Sequence, residues 1–204
     1  VLVAAAVEEH LQPLAKARYV ATAHTAMGQF AEAQAALDEA RRLAPKDRQV
    51  LVAQAILDWV SGRPAKAREI LDAVTSEDPA FAEGWYYKGR LALGTGDARA
   101  AVEAFTEARK LANAGLTVPQ ALAVDAGLVE AWLAQGNDAE ADASLKALEA
   151  RARDAFVTRL LRARIAYSRG QFAAASAELQ RALSQQPGHV PARVLLGASL
   201  PPAV

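Results

Sequence analysis

The chain has no cysteine. That absence excludes a disulfide framework and any thiolate metal site, while fitting either side of a bacterial membrane. An excess of one charge is missing too: 23 lysines and arginines stand against 23 aspartates and glutamates, a formal net charge of +0. A nucleic-acid binder must neutralise a row of phosphates, and a membrane-surface protein carries clustered basic residues. Neither footprint is present, so no nucleic-acid partner is expected. Long apolar runs are absent as well. The longest, Val1 to Val7, falls far short of the roughly 18 residues of a membrane span and lacks the basic start of a signal peptide. The chain opens on Val1 and its only methionine is Met27, so it is read as a fragment or a processed product.

Aromatics are few (6%) and alternating apolar–polar runs are missing, while alanine is abundant and 52% of residues are hydrophobic. Such a composition predicts helix throughout, with enough apolar surface for a continuous core. The glycines that interrupt the helical pattern are Gly28, Gly62, Gly96, Gly136 and Gly170, spaced 34, 34, 40 and 34 apart. Pro45 and Pro79 are again 34 apart. Five residues after each glycine stands Ala33, Ala67, Ala101, Ala141 or Ala175, and four further on Leu37, Leu71, Phe105, Leu145 or Leu179. Seven before each stands another small residue: Ala21, Ala55, Gly89, Val129 or Ala163. Small side chains at fixed points let two helix axes approach closely, the large residue fills the space beside them, and glycine permits a tight turn between antiparallel helices.

This pattern resembles the tetratricopeptide repeat, most fully in the third unit, where Trp85, Gly89, Gly96, Ala101, Phe105 and Ala108 fall on its motif. The resemblance places five repeats at 14–47, 48–81, 82–115, 122–155 and 156–189. Residues 1–13 are expected to be a partial preceding helix, and 190–204 a partial sixth repeat or capping helix. Three repeats depart from the motif's leucine, with Gln54, Lys88 and Arg162 in its place, and Arg153 replaces a proline. The implied fold is all-α: a right-handed solenoid of helix pairs, first helices lining the concave side and second helices the convex side. Six extra residues, Leu116 to Ala121, read either as a longer turn with Pro119 in the next helix's first turn or as a loop reaching toward a partner.

Reactive chemistry finds no support on the same frame. His10, His24 and His189 share no ligand spacing, so no metal is expected. Gly94-Thr95-Gly96-Asp97 follows a helix rather than a strand and recurs as an inter-helix turn, which argues against a phosphate loop. Nothing resembles a nucleophile with an orienting base. The expectation is a non-enzymatic chain without a cofactor.

In the resembled family the stripe at repeat positions 5, 9 and 12 lines the ligand groove. It assigns protein binding to Arg18, Val52, Ile56, Trp59, Tyr86, Arg90, Leu93, Glu130, Leu160, Arg164 and Tyr167. Aromatics and arginines are residue types that dominate protein interfaces, which favours the groove for Trp59 and Tyr167 over the alternative that they cover the seam between repeats. Thr22, Ala53 and Glu83 replace the donors of the family's carboxylate clamp, so a peptide or helix with an apolar stripe is the expected partner. The exposed terminal helices are where a weak homo-oligomer is expected.

The wording of the last three repeats, WYYKGRLALGTGDARAAVEAFTEARKL, LVEAWLAQGNDAEADASLKAL and RIAYSRGQFAAASAELQRAL, resembles the tetratricopeptide lipoproteins of the bacterial PEP-CTERM/exosortase system. That resemblance implies a scaffold in exopolysaccharide production or protein sorting, in the periplasm or anchored at the outer membrane. Two other readings stay open: a cytoplasmic assembly or co-chaperone module, and the recognition arm of an enzyme whose catalytic domain lies elsewhere.

Overall fold

The computed structural model describes residues 13–200, and the expectations placed on 1–12 and 201–204 lie outside these described residues. Eleven α-helices follow one another, with no strand among the described residues. They are α1 (Pro13–Ala26), α2 (Phe30–Leu43), α3 (Arg48–Val60), α4 (Pro64–Glu77), α5 (Ala82–Gly94), α6 (Ala98–Lys110), α7 (Val118–Ala134), α8 (Asp138–Ala152), α9 (Phe156–Ser168), α10 (Phe172–Gln185) and α11 (Val190–Ser199). Five hairpins, α1–α2 through α9–α10, stack in order, and α11 packs on α10.

The turns inside the hairpins repeat one device. Gly28, Gly62, Gly96, Gly136 and Gly170 all adopt positive φ, between 70° and 84°. At the first, Gly28 N–H donates to Thr25 O and Gln29 N–H to His24 O. The same two bonds recur at every later turn, for example from Gly96 to Leu93 and from Asp97 to Ala92. This is the Schellman arrangement, which satisfies the last carbonyls of a helix and needs a residue free to turn left-handed. Side chains then start several of the next helices: Asp97 accepts from Ala100 N–H and Asn137 from Glu140 N–H.

The small and large residues flanking those turns are the core. Ala33, Ala67, Ala101, Ala141 and Ala175 are fully buried, and Leu37, Leu71, Phe105, Leu145 and Leu179 are buried beside them. The core is a row of linked clusters, each built from a hairpin and the next first helix. Ala17, Leu37 and Leu57 join α1, α2 and α3; Tyr86, Phe105 and Leu128 join α5, α6 and α7. Ala163, Leu179 and Ala192 do the same for α9, α10 and α11. No hairpin closes its own apolar face, so each repeat depends on its neighbour.

The three departures from the repeat's leucine are explained at the junctions. Each polar side chain reaches the second helix of the preceding hairpin. Gln54 Oε1 accepts from Arg41, Lys88 Nζ lies 2.7 Å from Asp72, and Arg162 donates to Glu149 at 2.6 Å. A leucine seat thus becomes a polar rung wherever the facing helix supplies a partner.

The extra residues between the third and fourth hairpins mostly lengthen α7, which has 17 residues. Thr117 caps it: its hydroxyl accepts from Gln120 N–H, and Gln120 Oε1 accepts from Thr117 N–H. The segment is therefore a helix start with Pro119 in its first turn, rather than a loop reaching outward.

Candidate functional site

Neighbouring first helices touch one another (α1 with α3, α3 with α5, α5 with α7, α7 with α9), and second helices make no comparable contact. An array joined more closely along one side curves toward that side. The first helices therefore form the inner face, which presents two clefts.

The first cleft, about 450 Å³, is bounded by three successive first helices. Thr22 and Thr25 come from α1, Ile56 and Val60 from α3, and Tyr87 and Arg90 from α5. The Arg90 guanidinium lies 5.6 Å from the centre of the Trp59 ring, 5.7 Å from Tyr86 and 5.8 Å from Tyr87. Cation–π attraction at this range steadies the arginine head beside the three rings. Burial pushes the Glu83 carboxyl up from its ordinary pKa, against the pull of Arg18 and of the Gln120 amide. Burial also raises the Tyr87 phenol, with Glu83 adding to the rise and Arg90 opposing it.

The second cleft, about 750 Å³, lies between α9 and α11 with a contribution from α7. Leu160, Tyr167, Val190 and Val194 give it apolar walls. Its one strong charge pair is internal: Arg164 donates to Glu130 at 2.7 Å. Val190 and Val194 are 64% and 67% exposed, so the wall that α11 gives this cleft is open apolar surface.

The structure thus gathers Ile56 and Arg90 at one cleft and Glu130, Leu160, Arg164 and Tyr167 at the other. Two of the assigned residues do not present an open face. Val52 is 2% exposed and shares a core with Leu71 and Leu91; Tyr86 is 7% exposed and shares one with Val124 and Leu128. At position 5 of these repeats the next first helix closes over the side chain, so Val52 and Tyr86 support the inner face from beneath. Trp59 is half-buried, and a carbon added to Gly94 would lie 2.6 Å from its ring, so this ring covers the α3–α5 seam. Leu93 and Arg18 are half-buried and line neither cleft.

Sequence reasoning passed over Tyr87, Val60, Phe30 and the α11 residues Val190 and Val194. The signal for Tyr87 was present: it adjoins Tyr86, and a 100° rotation separates successive residues, so with Tyr86 turned under the next first helix Tyr87 falls on the neighbouring stripe. Among the described residues no group of three histidine, aspartate or glutamate side chains is placed to hold a metal, and no helix is long and apolar enough to cross a membrane.

Two family models, each described as tetratricopeptide repeat, match residues 24–91 and 160–200. No curated protein matches the chain in sequence. Among solved structures the fold is similar to that of a thermophilic TPR protein of Thermus thermophilus, at 19% identity and a TM-score of 0.72, over 91% of this chain and 98% of that one. PilF of Pseudomonas aeruginosa matches at 15% identity and a TM-score of 0.75, over 92% and 88%. PilW, a type IV pilus biogenesis factor, matches at 18% and 0.78, over 93% and 86%. At these identities the likeness is one of fold.

Proposed function

This chain belongs to the tetratricopeptide-repeat family, two of whose models match residues 24–91 and 160–200, and we propose that it is a non-catalytic scaffold whose inner face binds a segment of another protein. The observation that carries the reading is the pair of inner clefts. One holds an arginine set beside aromatic rings and apolar side chains, and the other has apolar walls that include exposed valines. Concave surfaces with aromatic and arginine side chains supply the contacts that dominate protein interfaces. The setting we propose is the bacterial cell envelope, in exopolysaccharide assembly or protein sorting, on the strength of the wording of the last three repeats. PilW, a fold neighbour, is a pilus biogenesis factor, which agrees with that setting without extending to this chain.

The test is site-specific photocrosslinking in the native host. A photoreactive residue at Thr22 or Val194, on the inner clefts, should yield a discrete adduct, whereas one at Glu39, exposed on the outer helix α2, should not. Adducts from Glu39 alone would place the binding surface on the outer face. Fractionation of the tagged natural gene product tests the setting: recovery from the soluble cytoplasm would overturn the envelope assignment.

A further inference from the structure

We infer that the cleft between α1, α3 and α5 takes an acidic residue in the interior of a peptide, its side-chain carboxylate held by Arg90 and its apolar neighbours lying on Ile56, Val60 and Phe30. The inference rests on the scaffold reading above and adds to it the chemistry of one ligand residue.

Charge carries it. Arg90, Glu130 and Arg164 occupy the same position of three successive repeats, so one carboxylate stands between two arginines. Glu130 is taken by Arg164 at 2.7 Å. Arg90 is left exposed, with no ion pair and no hydrogen bond among the described residues, although 13 of the 15 ion pairs do engage an arginine. It is also kept in place. Three rings lie within 5.8 Å of its guanidinium carbon. Cation–π attraction to these rings uses none of the guanidinium's hydrogen bonds, so its N–H donors keep the fork that matches a carboxylate, and little side-chain freedom is lost when one binds.

The surroundings select the source of the carboxylate. Capture of a chain terminus calls for several converging donors. Among the described residues Arg90 is the one cation lining this cleft, and Arg18 of α1 acts on Glu83. The remaining walls are apolar or hydroxylic: Ile56, Val60, Phe30, Thr22 and Thr25. An aspartate or glutamate flanked by apolar residues satisfies both features, whereas an acidic tail would leave the apolar wall wet.

The probe is a bead library of nine-residue peptides, acetylated and amidated so that no terminal charge remains, with every position randomised. Beads that bind the purified protein should carry one acidic residue beside apolar ones. Resynthesised binders should lose roughly tenfold or more in affinity when that residue becomes its amide, the loss of one charge-assisted pair. Arg90→Met, which keeps the stem over the rings, should erase both the acidic preference and the affinity difference, with helical circular dichroism unchanged. Arg164→Met should leave the acidic preference intact. Binders without an acidic residue, or an acidic preference that survives Arg90→Met, would overturn the inference and leave the scaffold reading standing. Binding only by a parallel library with free C-termini would assign Arg90 to a terminal carboxylate and overturn it likewise. A wild-type protein that selects no bead at all would overturn it together with the scaffold reading.

Discussion

The Phe105 ring lies so close to the backbone of Gly127 that a carbon added to that glycine would sit 2.5 Å from Cε2 of the ring. On the ring's other side Gly89 is as near, its added carbon falling 2.6 Å from Cδ1. A fully buried aromatic of α6 is thus clasped by glycines of α5 and α7, and the junction between the third and fourth hairpins closes on it.

Gly127→Ala and Gly89→Ala should each destabilise the array, because the rigid ring has no room to retreat. Overpacking of this kind costs about 1–3 kcal/mol. Urea unfolding is the measurement, and in a Phe105→Leu background the penalty of either alanine should shrink. Equal penalties in both backgrounds would mean that the ring is not what the glycines accommodate.

At the turns the constraint is conformational. Gly96 has φ of 81°, and a carbon added there would meet nothing within 4 Å. Gly96→Ala should therefore cost about 1–2 kcal/mol from the left-handed backbone alone. Gly96→Asn should cost less, since asparagine tolerates that region. A larger loss for asparagine than for alanine would point to a steric cause and contradict the open surroundings.

Asp125 is 2% exposed, and its Oδ2 has no hydrogen-bond partner among the described residues; Arg151 Nη1 stands 3.4 Å away. Burial raises the pKa of this carboxyl, and Arg151 and Arg109 only partly oppose the rise. The folded state therefore holds the proton more tightly than the unfolded chain, whose aspartates titrate near 3.9. The sign follows: wild type loses stability relative to Asp125→Asn as pH rises from about 3.9 through the raised folded value. Thermal or urea midpoints of the two proteins across that range should shift in this direction, and a wild type that gains on Asp125→Asn with rising pH would refute it.

Arg162 donates to Glu149 at 2.6 Å and to Glu178 at 3.0 Å, tying α9 to α8 and α10. Glu178 also has Arg159 and Arg181 beside it, so Glu149 is the group left unpaired when Arg162 is removed. Arg162→Met should cost about 1.5–3 kcal/mol, the range for hydrogen bonds to charged groups. Glu149→Gln in the same background should recover part of the loss. A leucine, which the repeat pattern favours at this site, should behave like methionine rather than better.

Arg162 also shows where reading the sequence reached its limit. The period, the five turn glycines and the buried alanine–leucine pairs were legible because each depends on residues within one unit. Gln54, Lys88 and Arg162 looked like departures because their fitness depends on Arg41, Asp72 and Glu149 of the unit before, and a repeat motif averages over such pairings. The binding stripe was legible only in part for a related reason. Helical rotation places Val52 and Tyr86 near the inner face, but how far the next first helix leans over them is set by packing between units. Gly127 gave no local sign of its role, since its partner Phe105 lies 22 residues away on a different helix.

Each turn closes its backbone bonds inside six residues, as from His24 to Gln29, and asks nothing of the helices beside it. For the main chain, then, every unit is a transplantable part. The side chains are stricter. A unit placed after α6 must bring a gap where Gly127 stands, and one placed after α8 must bring a cation opposite Glu149. Shuffling, duplication or deletion of these units is therefore governed by a neighbour rule: the order of the hairpins is written in their seams, and the turns would accept any order at all.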